Sequence, residues 1–186
     1  MSGDWQLRAA ARCIRGGGIV AYPTEAVYGL GCDPLAGEAV FRLLAIKQRP
    51  LAQGLILIGA DFSQLAPYVG PAPASVMQRV RATWPGPVTW LLPVSPGVPY
   101  WLRGAHQTIA VRVTAHPIAA ALCRAVGHAL VSTSANRHRR PAARTALQVE
   151  RHLGAKIDYV LNGKVGPRKR PSEIRDALSG RVVRPG

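Results

Sequence analysis

Residues Asp4 to Arg15 place Trp5, Ala9 and Cys13 on one side, the recurrence of an amphipathic helix. Gly16-Gly17-Gly18 stops that helix, and the apolar run Ile19-Val20-Ala21-Tyr22 reads as a short buried strand broken by Pro23. Tyr28-Gly29-Leu30-Gly31 reads as an aromatic-glycine turn. A helix is predicted over 37–48, with Val40, Leu43 and Leu44 as its stripe, and Leu55-Ile56-Leu57-Ile58 is a continuous apolar strand. Helices over 61–68 and 73–84 are expected next, then strands over 88–92 and 108–113. A helix over 117–126, a strand over 129–132, a helix over 145–153 and short strands near 157–161 and 181–184 complete the pattern. Strands interleave with helices and are apolar on both faces, so the expected class is α/β, a sheet covered by helices.

At 186 residues the chain is expected to form one domain over 1–186, large enough for a single substantial core. Proline clusters at 71–73, 85–87 and 93–99 read as loops, not a domain boundary. No apolar run approaches the roughly 20 residues that span a bilayer, so no membrane partner is expected. Met1-Ser2-Gly3-Asp4-Trp5 has neither a basic region nor an apolar one, which argues against a secretory signal. Cys13, Cys32 and Cys123 are widely spaced and odd in number, which argues against a disulfide framework, shows no zinc spacing and suggests a reduced cytoplasm. No metal-ligating spacing occurs among the five histidines, so no metal ligand is assigned.

Twenty-four basic residues against nine acids give a net charge of +15, which suggests phosphate-bearing partners. An alternative is compositional: twenty arginines to four lysines, with much Ala, Gly and Pro, also fits a GC-rich genome. The triple glycine precedes its strand instead of following it, which rejects a dinucleotide fingerprint, and no Walker-type sequence is present.

Four short segments carry candidate chemistry. Thr24-Glu25 follows a strand, where ligands of open α/β sheets tend to bind; the alternative is a capped turn. Lys47, in Lys47-Gln48-Arg49-Pro50, extends the buried stripe of its helix and there must snorkel, pair or meet an anion; alternatively it and Arg49 only complement a helix C-terminus. Arg112 shares a strand face with small Ala110, leaving room to grip a phosphate or carboxylate, unless the strand is an exposed edge. Ser132-Thr133-Ser134-Ala135-Asn136 ends a strand with hydroxyls and an amide, either a phosphate or ribose site or an ordinary turn. The basic run Arg137-His138-Arg139-Arg140 follows it, a solvated loop or a receiver of polyphosphate or RNA. Hydroxyls and cations gather at element ends without a nucleophile–base pair, which suits orienting charged substrates more than covalent catalysis.

In that order these segments, with Trp84-Pro85-Gly86-Pro87-Val88-Thr89, Pro171-Ser172-Glu173-Ile174-Arg175-Asp176 and the closing Arg184-Pro185-Gly186, resemble the YrdC/TsaC family across essentially the whole chain, in its short single-domain bacterial form. The resemblance implies a single-domain twisted mixed sheet with flanking helices and a positively charged concave cavity. It implies formation of threonylcarbamoyl-AMP and pyrophosphate from L-threonine, bicarbonate or carbon dioxide, and ATP, with Mg²⁺ accompanying the nucleotide, for the t6A modification of tRNA. A separate threonylcarbamoyl-transferase complex is the implied recipient. Carried over by motif position, Lys47 and Arg49 act on phosphate and carbamate charge as catalytic residues. Thr24, Glu25, Tyr28, Thr89, Arg112, Ser132, Ser134, Asn136, Ser172 and Arg184 are the implied threonine and ATP contacts. The chain departs from the family pattern at Ala26, where a second threonine is frequent, at Arg137 to Arg140, where Ser-Gly is usual, and at Thr114, where proline is common. Two other readings remain: a non-catalytic RNA-binding or ribosome-maturation module, and an enzyme on the same scaffold with another acyl or carbamoyl substrate.

Overall fold

The computed structural model describes residues 3–137 and 140–186; His138 and Arg139 of the basic run lie outside the described residues. The chain opens with helix α1 (Asp4–Arg15), strands β1 (Val20–Pro23) and β2 (Tyr28–Gly31), and helix α2 (Gly37–Lys47). There follow β3 (Ile56–Gly59), α3 (Ala74–Arg81), β4 (Val88–Pro93), α4 (Tyr100–Arg103) and β5 (Thr108–Val113). Helix α5 (Pro117–Val126), β6 (Leu130–Ser134), α6 (Ala146–Leu153), β7 (Tyr159–Val160), β8 (Glu173–Asp176) and β9 (Val182–Arg184) complete it. Among the described residues the strands form one nine-stranded sheet in the order β7-β1-β2-β6-β3-β5-β4-β8-β9. The sheet is mixed: β1–β7, β3–β5 and β4–β8 are parallel, whereas β1–β2, β2–β6, β3–β6, β4–β5 and β8–β9 are antiparallel.

Period-two alternation divides the core between the two faces. Ile19, Ala21, Leu57, Val111, Val131, Trp90 and Leu92 pack on one face, with α2, α3 and α6 contributing. Val20, Tyr22, Ile58 and Leu130 pack on the other, beneath Ala10 and Ile14 of α1 and Leu122 and Cys123 of α5. Helices α1 and α5 therefore cover only part of that second face. Where they end, Ile56, Ala110, Arg112, Leu91 and Ser132 line an open concavity. The site thus lies across the uncovered half of a sheet face, not along one carboxyl edge of the strands, because a sheet with this many antiparallel pairs has no common carboxyl edge.

Several expectations need correction. Residues 28–31 form β2, paired with β1 from Val20↔Gly31 to Pro23↔Tyr28, and not a turn. Two glycines depress strand propensity there, but only a residue without Cβ fits: a Cβ on Gly31 would lie 2.4 Å from the Val131 carbonyl oxygen and 2.8 Å from the Tyr22 ring. The helix expected over 61–68 is reduced to a 3₁₀ turn, Ala66–Tyr68, because Asp61 Oδ1 accepts from the Ser63 N–H at 2.9 Å and closes a local turn instead. The helix expected over 73–84 ends at Arg81, ahead of Pro85, whose predecessor is driven from helical geometry. Helix α4, a single turn, was too short for periodicity to reveal.

Candidate active site

The concavity has a volume of about 330 Å³. Among the described residues six arginines (Arg49, Arg103, Arg112, Arg168, Arg170 and Arg184) line it, together with His106 and a single acid, Glu25. Its hydroxyl-bearing lining residues include Thr24, Thr108, Ser132, Thr133, Ser134 and Ser172.

Strand alternation places Arg112 on the uncovered face. Ile109, Val111 and Val113 occupy the buried side of β5, so Arg112 turns over Ala110 into the cavity wall. Although Arg112 is buried, it is not free: its Nη1 donates to Glu25 Oε1 at 2.6 Å. Glu25 comes from the β1–β2 turn, and its Oε1 also accepts from Thr114 Oγ1 at 2.8 Å and from the Ala115 N–H at 3.1 Å. Burial pushes the Glu25 carboxyl up, but the Arg112 charge and these hydrogen bonds outweigh it and hold the group below the usual carboxylate range. Glu25 Oε2 and Arg112 Nε, an acceptor and a donor, are buried without a partner. The Thr114 hydroxyl is thus one of three donors, with Arg112 and the Ala115 N–H, that secure Glu25.

Lys47 lies on the inner stripe of α2, as its register requires, and is 7% exposed. It is not on the cavity wall. Its Nζ donates to the Ser134 carbonyl at 2.6 Å, to the Asn136 carbonyl at 2.7 Å, and to Asn136 Oδ1. Ser134 Oγ donates to Asn136 Oδ1 at 2.7 Å, so one cation ties the end of β6 to the body of the protein. Burial first, and the nearby Arg49 second, pull the Lys47 ammonium down to about 8. At the end of α2, Gln48 takes a left-handed conformation (φ 48°) that turns the chain and directs Arg49 to the cavity. Arg49 Nε and Nη2 both donate to the Gly54 carbonyl, at 3.0 and 2.9 Å. Partial burial and neighbouring cations lower the pKa of Arg49, beside Arg184, and of Arg184, beside Arg112. Gathering these guanidiniums without an anion is therefore unfavourable.

The other expected residues divide between wall and frame. Ser132, Ser134, Ser172 and Arg184 line the cavity, and Arg184 Nη2 donates to the Ser172 carbonyl at 2.7 Å. Thr24 also lines it, but its Oγ1 donates to the Val27 carbonyl at 2.7 Å, the capped turn that sequence left open. Tyr28 borders the cavity yet is fully buried in the core, and its hydroxyl donates to the Gly163 carbonyl at 2.7 Å and accepts from the Gly163 N–H at 3.1 Å. Thr89 is fully buried, and its hydroxyl meets Ser172 Oγ at 3.0 Å. Neither Thr89 nor Asn136 is on the cavity wall. Sequence reasoning missed Arg103, His106, Thr108, Arg168 and Arg170. Arg168 and Arg170 sit two apart, an alternation visible in Arg168-Lys169-Arg170 but unassignable before the segment is placed.

Residues 12–186 match the Sua5/yciO/yrdC family, described as telomere recombination. A threonylcarbamoyl-AMP synthase of Nitrosococcus oceani is 59% identical over 181 residues, covering 97% of this chain and 98% of the relative. One from Halorhodospira halophila is 54% identical over 180 residues, covering 97% and 94%. Among solved structures, P. abyssi Sua5 complexed with L-threonine superposes with a TM-score of 0.88 at 36% identity, covering 94% of this chain but only 51% of that one. E. coli YciO superposes with a TM-score of 0.87 at 28% identity, covering 99% and 90%.

Proposed function

This chain belongs to the Sua5/yciO/yrdC family, and on that premise we propose that it acts as a threonylcarbamoyl-AMP synthase, a nucleotidyltransferase using ATP and L-threonine. The observation that carries the reading is near full-length identity above one half to relatives of that name. The cavity supports it, being cation-rich with one carboxylate, the balance needed for a triphosphate beside an amino acid.

The amine of L-threonine adds to carbon dioxide, delivered as bicarbonate, and loses a proton to give a carbamate. A carbamate oxygen then attacks the α-phosphorus of ATP, the bond from that phosphorus to the bridging oxygen breaks, and pyrophosphate leaves with the electron pair. A carbamate reverts readily in water, so holding it in line with the phosphorus is the main contribution required of the protein. Glu25 attracts the ammonium of the entering amino acid, and Arg112 takes an anionic oxygen of the carbamate or carboxylate through its unpaired Nε. Arg49 and Arg184 face charge developing on the phosphoryl oxygens. Ser132, Ser134 and Ser172 orient the adenylate or threonine, with Tyr28, Thr24 and Thr89 framing the site. Lys47 acts by fixing Ser134 and Asn136 in place. Mg²⁺ enters with the triphosphate as part of the substrate: Glu25, the one lining carboxylate, is engaged by Arg112, so the wall offers no set of metal ligands. The product is passed to a separate transferase complex in the cytoplasm for t6A modification of tRNA, and the basic surface makes direct tRNA contact part of this reading.

The experiment is pyrophosphate release by purified protein given ATP, Mg²⁺ and bicarbonate, with and without L-threonine. Release that requires both threonine and bicarbonate, with a product of the expected mass, is the outcome anticipated. A folded protein that releases none under any condition redirects the cavity to RNA binding.

A further inference from the structure

His116 does not line the cavity, yet it joins the two pieces of chain that hold the cavity's carboxylate. It is 6% exposed and caps helix α5: its Nδ1 faces the Ala119 N–H at 3.5 Å, while its Nε2 lies 3.1 Å from the Lys164 carbonyl oxygen. A ring nitrogen facing an N–H must accept and one facing a carbonyl must donate. Both contacts are therefore met only by the neutral imidazole with its proton on Nε2. The two residues before His116 grip the Glu25 side chain. Thr114 Oγ1 and the Ala115 N–H both donate to Glu25 Oε1, and Thr114 Oγ1 also accepts from the His116 N–H at 3.2 Å. The segment on the other side of the ring grips the backbone of the same turn. There the Gly166 N–H donates to the Thr24 carbonyl at 2.9 Å, and the Arg168 N–H donates to the Glu25 carbonyl at 3.2 Å.

Residues 162–172 form no regular element, so the segment takes its position from what it touches. Gly163 lies so close to the first turn of α5 that a Cβ there would stand 2.3 Å from Ile118 Cδ1 and 3.0 Å from Pro23 Cγ. The Tyr28 hydroxyl holds Gly163, and Arg144 Nη1 donates to the Arg168 carbonyl at 3.2 Å. Between these two anchors, the His116–Lys164 hydrogen bond ties the segment to the Thr114–His116 turn. One imidazole thus sets the spacing between the donors to the Glu25 carboxylate and the donor to the Glu25 carbonyl. Burial, joined by the Arg112 charge, holds that imidazole below its ordinary 6.5 against the opposing pull of the Lys164 carbonyl and of Glu25. The charged groups facing it are Glu25 from the β1–β2 turn and Arg112 from β5, whereas the Lys164 side chain is exposed. Protonation sets an N–H against the Ala119 N–H at the positive end of α5, so the ring has to turn, and Nε2 leaves Lys164 with it.

We propose that His116 is a positioning residue for the threonine side of the site: its neutral Nε2–H form locks residues 163–168 against the β1–β2 turn and thereby fixes Glu25. Its effect on threonine rests on the adenylate-forming reading, whereas the lock itself is tested apart from it. The experiment compares the full chain with His116→Asn and His116→Gln. Asparagine keeps a helix cap but is too short to reach Lys164, and glutamine carries an amide N–H as many bonds from the backbone as Nε2. Amide hydrogen exchange across 163–168, read by mass spectrometry, should quicken by about tenfold or more in His116→Asn while α5 stays protected. It should return towards the natural rate in His116→Gln. In pyrophosphate-release assays His116→Asn should raise the KM for L-threonine by about tenfold to a hundredfold, the scale of a displaced binding group. The KM for ATP should stay within about threefold. The natural protein should lose threonine affinity as pH falls below 6.5 and the imidazolium forms, and this limb should be absent from His116→Gln. Protonation of Glu25, below 4.5, is common to all three proteins. Unchanged exchange across 163–168 in His116→Asn, equal rises in both KM values, or an acid limb that survives in His116→Gln would each overturn the proposal. If exchange responds as expected in a protein that synthesises no adenylate, the lock stands and the reaction reading fails. If synthesis proceeds and His116→Asn keeps the natural threonine KM, the reaction reading stands and the positioning role fails.

Discussion

Replacing Glu25 by glutamine keeps the shape of the side chain and removes the charge that, among the described residues, neutralises Arg112. The pair is closed to water on both sides, with side-chain exposures of 7% for Arg112 and 12% for Glu25 and an N–O distance of 2.6 Å. Charges about 4 Å apart attract by ~4 kcal/mol at an effective dielectric of ~20, and removing one partner of a buried pair typically costs about 3–5 kcal/mol because the other is left unpaired. Glu25→Gln is therefore expected to lose about 3 kcal/mol of unfolding free energy at pH 7, near the low end, since the amide oxygen can still accept from Thr114. Glu25→Gln/Arg112→Met should regain most of that loss while remaining unable to bind threonine, because no buried cation is then left unpaired. The pH dependence supplies an independent sign. The Glu25 carboxyl is held below its ordinary value of 4.5, so its contribution is complete above that pH and disappears as pH falls through the lower folded value. The stability gap between the natural protein and Glu25→Gln should therefore close in acid. Urea unfolding midpoints for the three proteins between pH 3 and 7 provide the measurement. A loss below about 1 kcal/mol at pH 7, a gap that does not close, or a double variant no more stable than the single one would show that the pair is not a coupled buried ion pair.

Lys47→Met should lower kcat/KM by at least about tenfold with the fold intact, because the Ser134–Asn136 anchor is lost. The pH–rate profile of the natural enzyme should fall above about 8 as the ammonium loses its proton, and this limb should be absent from the variant. The folded value of Lys47 lies below its ordinary 10.5, so the natural protein should gain stability relative to Lys47→Met as pH rises from about 8 to 10.5. Thr89→Val should cost about 1 kcal/mol, read by thermal or urea unfolding, because it leaves the Ser172 hydroxyl without its 3.0 Å partner. Gln48→Gly should leave stability unchanged or raise it by about 0.5 kcal/mol, since the left-handed φ of 48° suits glycine better than glutamine.

The spans of α1, α2 and α5 were legible along the chain, and α2 buries the expected Val40, Leu43 and Leu44; α1 instead buries Ala10, Ala11 and Ile14, while Trp5 of the expected side is 65% exposed. Strands β3, β4, β5 and β6 were legible as short apolar runs, although on their second face Ile56, Leu91, Ala110 and Ser132 line the open concavity. Strand β2 was not, because its Gly31 is demanded by the close approach of the Val131 carbonyl, which is distant in sequence. The first turn after β3 was misread as helix because a side-chain cap, which periodicity does not register, won over helical propensity. In the site, motif order delivered Arg49, Arg112, Ser132, Ser134, Ser172 and Arg184 to one cavity wall. It did not show that Lys47 points away from that wall into the end of β6, nor that Thr24 caps its own turn.

By itself, then, the sequence determined the class of fold, the excess of cations and the family, since each depends on residue identity in local order. Tertiary structure alone decided which charges face one another. It set Glu25 against Arg112 across 87 residues, left one buried acceptor and one buried donor of that pair without a partner, and brought Arg168 and Arg170 to the cavity wall, a placement that no local pattern predicts. The physical reason is that Coulomb and hydrogen-bond energies depend on distances through space, whereas periodicity and propensity record only neighbours along the chain.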